Sequence, residues 1–592
     1  MAQENTVRRR SEIWFNDLAE PGETAIYIER YGNYGITRKE LQSGRPVIGM
    51  AQSGSDLTPC NRVHVDLASR VKDGIRDAGG IPLEFPMHPI QESCRRPTAA
   101  LDRNLAYLGL VEIMCGYPFD GVVLMTGCDK TTPACLMAAA TVNLPAIVLS
   151  GGPMINSYIN GKRAGSGVAL WEARRLLAAG FITAEELLDQ VAVAATSAGH
   201  CNSMGTALSM NCLAEAMGMS LPGCAAIPAP HAERAKIAYE TGRRIVGMVI
   251  EDLTPTRLLT RAAFENAIVV ASALGASTNC PPHLIAIARH IGVALDVDDW
   301  ETIGHDVPLL ANIQPAGDFL GEDFYRAGAV PAIFGELIRA GRIRTDALTA
   351  NGKSIGENYG GARILDAGII RPYDAPLMEN AGFLVVSGNL FESALVKTSV
   401  ISEDFKRRFL STPGSEDCFV SRVIVFDGPE DYRRRIEDPA LEIDETCMLV
   451  VRGAGPVAYP GSAEVVNMTP PGHLVSLNVK MLPCMGDGRQ SGTSDSPSIL
   501  HASPEAAVGG NLAILETGDR VKVDLRNRRV DVLIDDQEIE ERRRHLKPIA
   551  LNHHSPWQEL YRNHVGQLES GACLEFAIPY RDLRKVVPRH SH

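Results

Sequence analysis

The sequence has no run that would cross a membrane as a helix, which takes about 20 predominantly apolar residues. Its longest uncharged stretch lies between Lys130 and Lys162, and Pro133, Asn143, Pro145, Gly151, Gly152 and Pro153 divide it into a helix, a turn and a strand. The first ten residues are polar and lack the apolar segment of a secretory signal. There is no C-x-x-C pair, which argues against a zinc ribbon. There is no G-x-G-x-x-G fingerprint, which argues against a nicotinamide dehydrogenase. Positive charge is short as well: 58 Lys and Arg against 71 Asp and Glu leave a net charge of −13, so nothing draws the whole chain to nucleic acid or an anionic membrane. The basic runs Arg8-Arg9-Arg10, Arg433-Arg434-Arg435 and Arg542-Arg543-Arg544 each sit beside acidic residues and read as solvated faces. The 13 cysteines are odd in number and scattered, a pattern of a reduced cytoplasm and not of a disulfide framework.

The 592 residues are enough for two to four domains with a large buried core. With 45% hydrophobic and 22% charged residues, a mainly disordered chain is excluded. The first third alternates strand and helix patterns. Arg45–Ala51, Ile81–Phe85, Gly121–Thr126 and Ala146–Ser150 read as short buried strands. Between them, residues 61–78 carry Val63, Leu67, Val71 and Ile75 at helical spacing, and 98–115 and the stretch from Pro133 to Val142 read as further helices. This is the signature of a parallel sheet with crossover helices. Helical patterns (Ala169–Ala179, Ala184–Ala195, Thr206–Gly218) continue to about residue 342. Past about residue 375 the pattern becomes strand-like at Gly382–Val386, Arg422–Phe426 and Met448–Arg452, and Asp519–Asp535 alternates strictly as a hairpin. The C-terminal third therefore reads as a β-barrel or sandwich.

Three cysteines stand out by context. Cys60 and Cys128 each follow a strand, where α/β folds place ligands, and Cys201 precedes a helix; all three lie in Gly- and Ser-rich loops. Thiolates suit zinc or iron–sulfur centres, and a three-thiolate set leaves one coordination position open; by spacing alone the same triple also fits buried structural thiols. Asp129 and Lys130 follow Cys128 directly, and Glu92 follows the second strand. Carboxylates suit Mg²⁺, while Lys130 is a counter-ion unless its charge is removed, as in a carbamate. Two Gly-rich C-terminal loops follow, Gly453–Glu464 and Gly486–Thr493. The second resembles a phosphate cradle but misses the dinucleotide spacing and has no following lysine.

Taken together, Thr126–Pro133, Ser150–Met154, Gly199–Asn202, Gly486–Thr493 and Ala502–Ala506 resemble the iron–sulfur dehydratases, the family of dihydroxy-acid, phosphogluconate and sugar-acid (pentonate) dehydratases. The resemblance runs from about Gly35 to His590. It implies an α/β fold: an N-terminal parallel-sheet domain over residues 1–375 carrying the cluster, and a C-terminal β-barrel domain over 376–592 carrying a catalytic serine. It implies cluster ligation by Cys60, Cys128 and Cys201, with 2Fe-2S favoured over 4Fe-4S, although three cysteines do not fix nuclearity. It implies Mg²⁺ ligation by Glu92, Asp129, Glu464 and carboxylated Lys130. The catalytic base matches Ser491, with Thr493 close by. The branched-chain members typically read D-G-R-F-S-G-G-T; here Gln490 replaces the Phe and Thr493 follows Gly492 directly. A polar Gln beside the base suits a polyhydroxylated substrate, and the sequence looks most similar to the pentonate group, such as D-xylonate and L-arabinonate dehydratases.

The expected reaction converts a 2,3-dihydroxy carboxylate to a 2-keto-3-deoxy acid and water, in a cytoplasmic homodimer or homotetramer with a small polyhydroxy acid as its partner and neither nucleic acid nor membrane. The alternatives are a branched-chain dihydroxy-acid dehydratase and a non-catalytic iron–sulfur protein; the latter has no need of Ser491, Glu464 or Lys130. No role is assigned to His200, His231 or the histidines of Arg589–His592.

Overall fold

The computed structural model describes residues 9–159 and 161–590. Strands β1 (Val47–Gln52), β2 (Ile81–Pro86), β3 (Gly121–Thr126) and β4 (Ala146–Ser150) form a sheet in the order β2-β1-β3-β4, with every pair parallel. β1, β3 and β4 are buried along their whole length, as their unbroken apolar runs require when helices cover both faces. Helices Val63–Asp77, Ala99–Gly116 and Thr131–Val142 make the crossovers. The last of these is buried at every position, so the uncharged stretch after Lys130 is core and not a membrane span. No helix among the described residues is long and apolar enough to cross a membrane.

A two-stranded hairpin follows, β5 (Tyr158–Ile159) with β6 (Lys162–Arg163), and then a long helical region. The remaining strands are β7 (Phe383–Val386), β8 (Ser393–Lys397), β9 (Cys418–Asp427), β10 (Met448–Arg452), β11 (Cys484–Gly486), β12 (Ile499–Ser503), β13 (Arg520–Asp524) and β14 (Arg529–Val532). They pair in the order β14-β13-β9-β10-β11-β12-β8-β7. The ends of that order meet. Ser387, just past β7, bridges Arg529 of β14, donating its N–H to Arg528 O at 3.0 Å and accepting from Val530 N at 2.9 Å. The sheet is thus a barrel and not a sandwich. Alternate residues fill it: Val423 and Val425, Met448 and Val450, Val521 and Val523, Val530 and Val532. The opposite faces of β9 and β10, with Ile424, Phe426, Leu449 and Val451, pack under the segment that includes Ile443, Val466, Leu474 and Leu482.

Four neighbouring barrel strands, β9 to β12, run parallel. The turns after β10 and β11 therefore leave the same end of the barrel, as those after β1, β2 and β3 leave the same end of the parallel sheet. These are the positions at which parallel sheets present ligand-binding groups.

One basic run departs from its reading as a solvated face. Arg10 is 7% exposed and donates to the Cys115 and Val586 carbonyls, tying the N-terminal helix to the chain's C-terminal segment; Arg8 lies outside the described residues. Arg433 and Arg434 pair with Glu430 and Asp431 at the surface. Arg542 reaches Asp519 at 2.6 Å, and Arg543 pairs with Glu540.

Candidate active site

Cys60 sits in a single 3-10 turn after β1, and Cys128 two residues beyond β3. Asn61 accepts the Cys128 N–H at 2.7 Å, and Gln91 accepts the Cys60 N–H at 2.8 Å, so the loops after three strands hold one another. Cys201 comes in ahead of helix Thr206–Ala216 and accepts a bond from Ser166 Oγ at 3.5 Å. The three thiols are neighbours, with Cys60 facing both Cys128 and Cys201. Those neighbours, with burial, raise the Cys60 thiol well above an ordinary one, and Cys60 lowers Cys201.

Beside the thiols lies a set of oxygens. Glu92, Asp129 and Glu464 each place a carboxylate oxygen within 4.8 Å of the others. They come from the loops after β2, β3 and β10. Lys130 Nζ is 2.9 Å from Glu92 and 3.8 Å from Asp129, with its side chain fully buried. Arg489 completes the set from the loop after β11, at 2.8 Å from Glu464 and 3.4 Å from Glu92. Thr98 Oγ1 donates to Glu92 at 2.7 Å and Asn279 Nδ2 to Glu464 at 2.9 Å.

The electrostatics are unbalanced. Burial raises all three carboxyls, but Lys130 and Arg489 outweigh it at Glu92 and hold it at about 2. At Glu464 burial and the Glu92 charge prevail over Arg489, and it rises to about 7. Asp129 is also raised, by burial. Two cations do not neutralise three buried carboxylates, and like charges this close cannot all ionise. The residues fit a divalent ion: a cluster of hard oxygen donors short of positive charge, the more so if Lys130 becomes a carbamate. Glu92 Oε2 and Lys130 Nζ have ion-pair distance but no directed hydrogen-bond partner among the described residues. The three thiols equally fit a soft-metal cluster.

Ser491 is half-buried in the loop after β11, with its Oγ 3.0 Å from Thr493 Oγ1. That loop is pinned to the oxygen cluster through Asn279, whose Nδ2 donates to the Gln490 carbonyl at 3.2 Å and to Glu464. A cavity of about 390 Å³ opens beside Glu464, and Trp171, Arg174, Tyr432, Asn467 and Thr469 line it.

Arg489 and Asn279 are site residues that the sequence did not single out. Arg489 lies inside the Gly486–Thr493 motif, and Asn279 directly precedes the helix start Cys280-Pro281-Pro282, which is the signal that marks it. Gln490 is 1% exposed and donates its amide to Ser496 O at 3.0 Å. His200 is buried, with Nδ1 3.0 Å from the Cys201 carbonyl. His231 opens helix Ala232–Ile250, 3.9 Å from Glu322. His590 lies 3.6 Å from Glu23, and His592 is outside the described residues.

Comparison with known proteins agrees with this arrangement. The dihydroxy-acid/6-phosphogluconate dehydratase N-terminal model matches residues 45–358, and the C-terminal one matches 368–572. A D-xylonate dehydratase of Caulobacter vibrioides is 58% identical over 585 residues, 99% of this chain and 98% of that protein. An L-arabinonate dehydratase of Rhizobium leguminosarum bv. trifolii is 42% identical over 96% of each chain, and an L-arabonate dehydratase of Azospirillum brasilense is 42% identical over 99% of each. With both halves matched and relatives this similar along the whole length, the chain belongs to the dihydroxy-acid/6-phosphogluconate dehydratase family.

Proposed function

We propose that the protein is a hydro-lyase that converts an aldonate, D-xylonate ahead of L-arabinonate, to the 2-keto-3-deoxy acid, with Ser491 taking the C2 proton. One observation supports the reading: Glu464, from a barrel loop, lies with Glu92 and Asp129 from the parallel-sheet loops, and Asn279 bonds both Glu464 and the Gln490 carbonyl next to Ser491. The 58% identity to a D-xylonate dehydratase favours that substrate. The resemblance to the family supports a cytoplasmic homodimer or homotetramer and a domain boundary near residue 375.

Cys60, Cys128 and Cys201 would hold an iron–sulfur cluster, 2Fe-2S on the family resemblance; Glu92, Asp129, Glu464 and carboxylated Lys130 would hold Mg²⁺. Bound there, the two supply Lewis acidity toward the departing C3 hydroxyl and stabilise negative charge on the carboxylate and C2 oxygen. The chain's own part is proton transfer and positioning. A serine hydroxyl is far too weak a base near neutral pH, so Ser491 needs donors and positive charge that favour its alkoxide. Thr493 meets the first need through its hydroxyl at 3.0 Å and its N–H at 3.4 Å. The start of helix Thr206–Ala216, against which Gly492 packs, contributes to the second. Loss of the C2 proton and C3 hydroxyl leaves an enol, which tautomerises to the ketone. The cavity of about 390 Å³ beside Glu464 accommodates a five- or six-carbon acid, and Asn467 and Thr469 offer polar atoms to its distal hydroxyls.

The test is 2-keto acid formation from a panel of C5 and C6 aldonates, with a branched-chain dihydroxy acid as control. The parent is expected to turn over the pentonates, and Ser491→Ala to lose turnover while keeping the visible absorption of the cluster. Cys128→Ser is expected to lose that absorption. Retention of most activity by Ser491→Ala would reject the assigned base, and preference for the control acid would move the protein to the branched-chain reading.

A further inference from the structure

Trp171 stands on helix Val168–Ala178, remote in sequence from the barrel, yet its indole N–H donates to Thr493 Oγ1 at 3.0 Å. Thr493 Oγ1 is in turn 3.0 Å from Ser491 Oγ. An indole nitrogen can only donate. Trp171 therefore occupies one lone pair of the Thr493 hydroxyl and leaves that hydroxyl's own proton free to point at Ser491. With Ser491 neutral, either hydroxyl can donate to the other. With Ser491 ionised, only Thr493 can, and a hydrogen bond to a charged oxygen is roughly twice as strong as a neutral one. Donation from Trp171 polarises the threonine O–H and strengthens the bond to the alkoxide.

The surroundings hold Thr493 to this geometry. It is 8% exposed, and Gly167, at φ +84°, lets the helix approach so closely that a Cβ there would lie 2.7 Å from Thr493 Oγ1. One helical turn beyond Trp171, Arg175 pairs with Asp495 at 3.2 Å, so the helix is fastened to the same loop at two points. Trp171 also lines the cavity beside Glu464.

We infer that Trp171 is a positioning residue for proton abstraction: through Thr493 it sets the direction of a hydrogen-bond relay, Trp171 to Thr493 to Ser491, that favours the ionised serine. The inference rests on Ser491 being the base. Trp171→Phe keeps the ring and removes the donor. Normalised to iron content, its kcat on D-xylonate is expected to fall by up to roughly tenfold, the scale of one hydrogen bond to a neutral hydroxyl, with KM within about twofold of the parent. The kinetic isotope effect with C2-deuterated substrate is expected to rise, because proton abstraction becomes more rate-limiting. In a Thr493→Val background, Trp171→Phe is expected to cost nothing further, since the relay is already broken.

A Trp171→Phe enzyme with the parent's kcat and isotope effect would overturn the inference. So would a loss that appears in KM alone, or one that adds undiminished to that of Thr493→Val; either marks a packing role. If Thr493→Val falls below detection, the kcat and isotope effect of the single variant decide. An active Ser491→Ala enzyme, by contrast, removes the base on which the relay acts and rejects the parent reading.

Discussion

Arg489 Nη1 donates to Asn279 Oδ1 at 2.9 Å, joining a barrel loop to the first residue before helix Cys280–Ile291. The same guanidinium reaches Glu464 at 2.8 Å, Thr98 Oγ1 at 3.1 Å and the Ser462 carbonyl at 3.2 Å, with 2% exposure. It is the fully buried cation that both halves of the fold share around the oxygen cluster.

Removing a buried partner leaves the opposing charges uncompensated, which costs about 3–5 kcal/mol. Arg489→Met is expected to lose stability on that scale in urea unfolding with chelator present, because Glu92 and Glu464 then face only Lys130. Arg489→Lys keeps the charge without the fork geometry and is expected to lose less. A methionine variant as stable as the parent would mean the carboxyls protonate at little cost and that Arg489 is no keystone.

Gly492 gives a second test, one that separates loop position from metal binding. A Cβ on it would stand 2.7 Å from the backbone nitrogen of Thr206, the first residue of a buried helix that cannot yield. Gly492→Ala therefore has to move the Ser491 loop. A displacement near 1 Å at a reacting group costs on the order of a hundredfold in rate, while Cys60, Cys128 and Cys201 lie on other loops. Turnover is expected to fall on that scale with iron content unchanged; equal loss of iron would show that the loop and the thiols are not independent.

What the sequence could and could not disclose follows from the range of the interactions. β3 and its helix were legible, because the apolar run Gly121–Thr126, the Gly127–Lys130 turn and the uncharged helix Thr131–Val142 are each local patterns. The thiols and carboxylates were legible as candidates because loops after strands are where such groups collect. Closure of the barrel was legible only through the family resemblance, since it depends on Ser387 meeting Arg529, a pairing that no local period encodes. Arg489 and Asn279 carry no local signal of their roles at the site; only packing shows Arg489 shared between two carboxylates and Asn279 bonded to one of them. Arg10 read as solvated because its neighbours in sequence are charged, whereas its partners are the Cys115 and Val586 carbonyls far along the chain.

A third test concerns pH and lies away from the metal-binding groups. His290 is fully buried on helix Cys280–Ile291, its ring tilted 43° to that of Tyr107 at 4.4 Å between centroids, with Nδ1 3.2 Å from Thr141 Oγ1. Burial, with Arg103, Arg289 and Arg581 adding to it, lowers it to about 3 from the ordinary 6.5. The unfolded chain therefore binds a proton on this imidazole between those two values and the folded one does not. Stability from this group is present above pH 6.5 and is lost as pH falls toward 3, at up to about 1.4 kcal/mol per pH unit. His290→Gln removes the group from both states, while the similarly lowered His64, His200 and His501 remain in both proteins and cancel. The stability difference between parent and variant, measured by reversible urea unfolding, is expected to be constant above pH 7 and to move in the variant's favour from pH 6.5 to 4. A difference that stays flat across that window would mean the folded protein protonates His290 at the ordinary pKa, and that the helix opens enough to hydrate it.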